Sequence, residues 1–155
     1  LQDLKKTKTL LLENFFINYR KTQLKKGQFI HSIKIPLFKN NTFKAYKVSK
    51  RFDDDISSVC AAFNIEIVKN KIESIRIAYG GMAAIPKRAI FCENIILQST
   101  FTDEIVNKAK QALERDFKPI SDMRASKLYR MEIAKNLLEK CFLEIKEKKI
   151  IGIYA

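Results

Sequence analysis

The chain predicts an α+β domain: an antiparallel sheet of three to four strands packed against three helices, an α/β sandwich. Two observations carry that expectation. Apolar residues recur with period two in four stretches between residues 28 and 79, and with helical spacing from about residue 89 onward. Strands gathered first and helices after them is the order of an α+β domain, not the alternation of a parallel βαβ sheet. A length of 155 residues, 46% of them hydrophobic, suits one domain with a real core and excludes a disordered chain.

Residues 1–27 show no clean period. Leu10-Leu11-Leu12 and Phe15-Phe16 sit in a lysine-bearing stretch that reads as irregular structure with a short helical turn, closed by Lys26-Gly27. Gln28 to Pro36 alternates: Phe29, His31, Ile33 and Ile35 share one face, and Gln28, Ile30, Ser32 and Lys34 the other. Ile30 is the one apolar residue on that polar face. It packs under a loop, or it covers an aromatic ligand, since flat rings are sandwiched by apolar side chains.

Pro36 ends that strand and Asn40-Asn41 makes a turn. Thr42 to Ser49 is the next strand. It runs into Lys50-Arg51-Phe52 and then Asp53-Asp54-Asp55, three carboxylates too costly to bury unpaired. They are solvated, bound to a partner, or capping the next element. Ser57 to Val68 turns Val59, Ala61, Phe63, Ile65 and Ile67 to one side. Lys69-Asn70 is a tight hairpin loop, and Ile72 to Tyr79 points Ile75, Ile77 and Tyr79 inward.

Gly80-Gly81 opens a strand-to-helix corner, with Pro86 suited to a first helical turn and Ala89, Cys92 and Ile96 on one helical face. Thr102 caps a second helix, with Asp103 and Glu104 in its first turn; Ile105, Ala109, Ala112, Leu113 and Phe117 are its apolar face, and Pro119 breaks it. The longest helix carries the stripe Leu128, Met131, Ala134, Leu137, Cys141 and Ile145, a core-packing face, and closes at Lys146-Glu147-Lys148-Lys149.

Composition removes several chemistries. Gly27, Gly80, Gly81 and Gly152 form neither GxGxxG nor a P-loop, so neither phosphate cradle is present. Cys60, Cys92 and Cys141 are too far apart for a CxxC site and are expected to be free thiols, with Cys60 and Cys141 buried. His31 is the only histidine and has no partners for a metal. No apolar run approaches the ~20 residues that span a bilayer. The net charge of +13 is spread along the chain and admits a small basic nucleic-acid binder as an alternative class. The chain begins Leu1-Gln2-Asp3, without a signal-peptide pattern, and is expected to be a piece of something longer.

Four stretches, in order, resemble one family. They are FFxxYRKTxL from Phe15; Ala45-Tyr46-Lys47-Val48-Ser49-Lys50-Arg51-Phe52-Asp53-Asp54-Asp55-Ile56; Ile77-Ala78-Tyr79-Gly80-Gly81-Met82-Ala83-Ala84-Ile85-Pro86; and PxSDMRASxxYRxxxAxNLL from Pro119. Together they are similar to the C-terminal domain of the FAD-binding (small) subunit of molybdenum hydroxylases, the CO dehydrogenase flavoprotein C-terminal type, with bacterial xanthine dehydrogenase the nearest match. A polar residue stands at the position of Ala84 in animal relatives.

The resemblance implies residues 1–27 as the tail of a preceding FAD-binding domain, 28–147 as the C-terminal domain and 148–155 as a tail. It implies a cytoplasmic oxidoreductase of purine catabolism in which electrons pass from molybdopterin through 2Fe-2S clusters to FAD and then to NAD. The implied partners are the upstream FAD-binding domain, a molybdopterin-binding large subunit and NAD, with no membrane and no specific nucleic acid. This domain would cover the isoalloxazine, and the fragment alone would catalyse nothing. By position, Ile30 and Lys47 match residues that contact FAD, and Arg51 and Asp54 fall in the loop beside the flavin. Asp54 there would disfavour added electron density on the ring and Arg51 would oppose it; Phe52 replaces a second arginine of some relatives. A domain serving subunit assembly alone is the third alternative.

Overall fold

The computed structural model describes residues 1–3, 6–37, 40–51 and 54–151. The main sheet has four antiparallel strands in the order β3-β4-β5-β6: β3 (Asn41–Val48), β4 (Val59–Val68), β5 (Lys71–Gly80) and β6 (Lys87–Arg88). A separate two-stranded ribbon, β1 (Phe16–Asn18) and β2 (Lys21–Thr22), lies in the N-terminal arm behind a 3₁₀ turn at Leu12–Asn14. Three helices follow: α1 (Ile90–Ile96), α2 (Asp103–Asp116) and α3 (Lys127–Glu147). The expected α+β class holds, with the helices after the strands.

The two-residue period sorts β4 and β5. Val59, Ala61, Phe63 and Ile65 are buried, as are Ile75, Ile77 and Tyr79. Lys69 and Asn70 both take left-handed backbone, with φ of 48° and 64°, the pair of conformations a two-residue hairpin needs. Ile72 is buried too, out of phase with Ile75. Ile67 pairs with Ile72 but Glu66 pairs with Ser74, so Glu73 is an extra residue, and this bulge turns both isoleucines inward.

The helices cover one face of the sheet and close the core. The Thr102 Oγ1 caps α2 by accepting from the Ile105 amide at 3.4 Å, and Ser126 caps α3 through the Tyr129 amide at 3.1 Å. α1 has no capping side chain of its own; Asp116, at the end of α2, accepts from the Phe91 and Cys92 amides at 3.0 and 2.9 Å instead. Glu93 is buried between the Ile77 amide (2.8 Å) and the Arg88 guanidinium, and so ties α1 to β5 and β6.

Several expectations are corrected. Gln28 to Pro36 forms no strand: Phe29 makes one bridge to Gln2, and Ile33, Ile35 and Leu37 lie exposed. Alternation describes a stretch able to pair, and here it has no neighbouring strand to pair with. Pro86 precedes β6, not a helix, because the chain inserts that short strand before α1 begins at Ile90. Leu128 is 76% exposed, whereas Leu138 and Phe142 are buried. The inward face of α3 starts at Arg130, whose guanidinium donates to backbone carbonyls and to Asp122, so an apolar stripe misplaces it. Cys60 is exposed and Cys141 buried, since Val59 and Ala61 facing inward put Cys60 on the opposite side.

Candidate functional site

The face of the sheet opposite the helices carries small side chains along two of its rows. Alternation puts Phe43, Ala45 and Lys47 of β3 on it, with Cys60, Ala62 and Asn64 of β4 and Arg76, Ala78 and Gly80 of β5. Register sets them in rows. Lys47 lies opposite Cys60 and Cys60 opposite Gly80; Ala45 lies opposite Ala62, Ala62 opposite Ala78 and Ala78 opposite Arg88. Each row has one cationic end, Lys47 or Arg88, and projects nothing bulkier than a thiol along the rest, so a planar ring can approach the strands closely.

Two lysines on β3 show what the faces do. Lys44 points to the helix side and pairs with the buried Glu144 at 3.0 Å. Burial pushes the Glu144 carboxyl up, but Lys44, the Tyr46 hydroxyl (2.9 Å) and the Ile151 amide outweigh it and hold it below the usual carboxylate range. Burial and the neighbouring carboxylate push the Cys141 thiol up to about 12 beside this group, so it is inert packing. Lys47, three residues on, is exposed on the bare face.

The charged turn after β3 resolves in part. Asp55 is the carboxylate that caps: it accepts from the Arg51 amide at 3.0 Å and from the Ile56 amide at 2.9 Å, and it meets the Arg51 guanidinium at 3.4 Å. The Arg51 amide above all, helped by that guanidinium, lowers the Asp55 pKa. Asp54 is exposed, in left-handed backbone with φ of 45°. Arg51 and Asp54 therefore share the turn, with Asp55 as the Arg51 partner; Phe52 and Asp53 lie outside the described residues. Ile30 is half-exposed in the arm. The ion pair of Glu13 with Arg88, at 3.7 Å, ties that arm to the sheet.

A group that sequence reasoning passed over sits beneath this end of the sheet. Arg130, 3% exposed, donates Nη1 to the carbonyls of Ser58 and of Gly81 (2.9 Å) and Nη2 to Asp122 Oδ1 (2.7 Å). The signal was the SDMRASxxYR stretch, in which an acid and an arginine eight residues apart flank a helix cap.

The described residues form an antiparallel sheet with helices on one side and its other face uncovered. Residues 44–145 match the model of the CO dehydrogenase flavoprotein C-terminal domain, and the chain belongs to that family. It is 30% identical over 132 residues to the glyceraldehyde dehydrogenase medium chain of Sulfolobus acidocaldarius, covering 85% of this chain and 47% of that protein. It is 35% identical over 120 residues to the xanthine dehydrogenase of Emericella nidulans, covering 75% of this chain and 9% of that one. The fold is that of carbon monoxide dehydrogenase from Hydrogenophaga pseudoflava, with a TM-score of 0.76 at 24% identity over 81% of this chain and 44% of the other. Quinoline 2-oxidoreductase from Pseudomonas putida 86 gives a TM-score of 0.76 at 19% identity, over 90% of this chain and 48% of the other. The chain thus spans less than half the length of each of these relatives. Among the described residues no helix is long and apolar enough to cross a membrane.

Proposed function

We propose that the chain is the C-terminal domain of the FAD-containing subunit of a xanthine dehydrogenase-type molybdenum hydroxylase, and that its bare sheet face covers the flavin. The observation that carries this is the row Lys47–Cys60–Gly80: a cation at the end of a flat, small-residue platform in a flavoprotein family. The site fits the ring and not the phosphates, since Gly81 lies against the Ser58 carbonyl and the sequence has no glycine pair besides Gly80-Gly81. Bound FAD would supply the electron-carrying chemistry, taking electrons from 2Fe-2S clusters fed by molybdopterin and passing them to NAD.

This chain's residues bind and orient. Lys47 supplies a positive partner, Ile30 an apolar cover, and Arg51 and Asp54 the charge balance of the turn beside the ring. Residues 1–27 finish the preceding FAD-binding domain, 28–147 form this domain, with 28–37 as the joining stretch, and 148–155 are a tail. The further partner is a molybdopterin-binding large subunit, in a cytoplasmic enzyme of purine catabolism. The helical cations Lys108, Lys110, Lys135 and Lys146 each face an acid, which weakens the nucleic-acid alternative.

The test is made on the complete enzyme carrying Lys47→Ala or Ile30→Ala. NAD reduction is expected to fall while substrate oxidation, with an artificial acceptor that draws electrons upstream of the flavin, persists. Unchanged NAD reduction in both variants would remove the assignment.

A further inference from the structure

Three strands carry the Lys47–Cys60–Gly80 row; β4 and β5 each run into the same buried arginine within two residues of it, and β3 is joined to that arginine through Ser58. Val48 follows Lys47, and its carbonyl accepts from the Ser58 amide at 2.7 Å, which ties the end of β3 to the start of β4. Ser58, two residues before Cys60, gives its own carbonyl to Arg130 Nη1. Gly81, next after Gly80, gives its carbonyl to the same nitrogen at 2.9 Å. Gly81 has φ of 80°, and a Cβ there would strike the Ser58 carbonyl and lie 3.0 Å from Arg130 Nη1. The glycine lets the two carbonyls come close enough for one guanidinium to hold both.

The other end of that guanidinium is fixed as firmly. Asp122 Oδ1 accepts from Arg130 Nη2 at 2.7 Å and from the Arg124 and Ala125 amides at 2.8 and 3.2 Å. The loop so formed reaches back to the charged turn: Lys50 Nζ donates to the Met123 carbonyl at 2.7 Å, and Ser58 Oγ to the Arg124 carbonyl at 3.3 Å. A planar guanidinium that bridges two carbonyls and a carboxylate fixes their mutual angles, which a single ammonium cannot do.

We infer that Arg130, held by Asp122, is a positioning residue that sets the Lys47–Cys60–Gly80 row and its neighbours Lys50 and Ser58 at one height, and so fixes how this face meets the flavin. It touches no ligand itself. The inference rests on the flavin reading above and adds the device that orients the site.

The experiment uses the complete subunit with Asp122→Asn, Arg130→Lys and, alongside them, Lys47→Ala. Both clamp variants are expected to retain the far-ultraviolet circular dichroism of the parent. Amide exchange in residues 49–58 is expected to quicken about tenfold, with α2 unchanged. Bound FAD is expected to show a shifted visible spectrum and midpoint potential, with flavin reduction slowed about tenfold. Exchange at 49–58 unchanged in both variants would overturn the clamp. Faster exchange with spectrum, potential and reduction unchanged would overturn its positioning role, provided Lys47→Ala does alter the flavin. If Lys47→Ala leaves the flavin unchanged as well, the flavin reading falls, and this inference falls with it. Should Arg130→Lys fail to fold, Asp122→Asn alone decides, because it keeps the arginine and removes one charge.

Discussion

Lys44 and Lys47 stand on one strand, three residues apart, and live in different worlds. Lys44 faces the helices and neutralises a buried carboxylate; Lys47 faces outward over alanine, cysteine and glycine. The same contrast runs through the aromatics. Phe63 on the helix side is fully buried and meets Tyr46 and Tyr79 at centroid distances of 5.9 and 6.0 Å, whereas Phe43 on the bare side is 65% exposed. The helix-covered face is finished within this chain. The bare face and the arm are left uncovered, with Ile33, Ile35 and Leu37 exposed.

The largest effect should separate the two phenylalanines. Phe63→Ala is expected to cost about 3–5 kcal/mol of stability, and Phe43→Ala no more than about 0.5 kcal/mol, in urea unfolding of this chain. Equal losses would show that the bare face is also core. Next come the lysines. Lys44→Ala leaves Glu144 with Tyr46, the Ile151 amide and a more distant Lys140 at 3.8 Å, and should cost about 1–3 kcal/mol, while Lys47→Ala should leave the midpoint unchanged.

Acid should act on the finished side as well. Asp122 is held below the ordinary aspartate value first by the Arg124 amide and then by Arg130, and Glu144 is held low by Lys44 and Tyr46 against its burial. Groups with a depressed folded pKa contribute stability that is fully present above their unfolded values and is lost as pH falls through the folded ones. Unfolding midpoints should therefore be flat from neutral pH to about 5 and fall below about 4. Lys44→Ala should shrink the drop, and a drop of unchanged size in that variant would show that Glu144 does not carry it. The smallest effect belongs to the arm: Ile33→Ser should change the stability of this chain by less than about 0.5 kcal/mol. In the complete subunit the same change should cost more, by differential unfolding of the two proteins.

What was legible in the sequence follows this division. β4, β5, their hairpin and the cap of α2 are set by local period and local chemistry, and each was readable. Where a long-range partner decides, pattern failed. Gln28 to Pro36 alternates like a strand but finds no partner strand here. Leu128 keeps the helical period yet is exposed, because Arg130 takes the inward position with carbonyls for company. Ile72 escaped the two-residue count because a bulge reset it. Lys47 entered through the family resemblance, and a capping role for the run Asp53-Asp54-Asp55 through residue type, while the Asp122–Arg130 clamp joins carbonyls from two other loops, which no local pattern announces.

The most direct test compares the two lysines in the complete subunit by titrating FAD into the apoprotein. Lys47→Ala should weaken FAD binding about ten- to a hundredfold, or roughly 1–3 kcal/mol, and Lys44→Ala should leave it unchanged wherever the protein is folded. Full FAD affinity in Lys47→Ala, or an equal loss in both, would contradict the assignment of the bare face to the flavin.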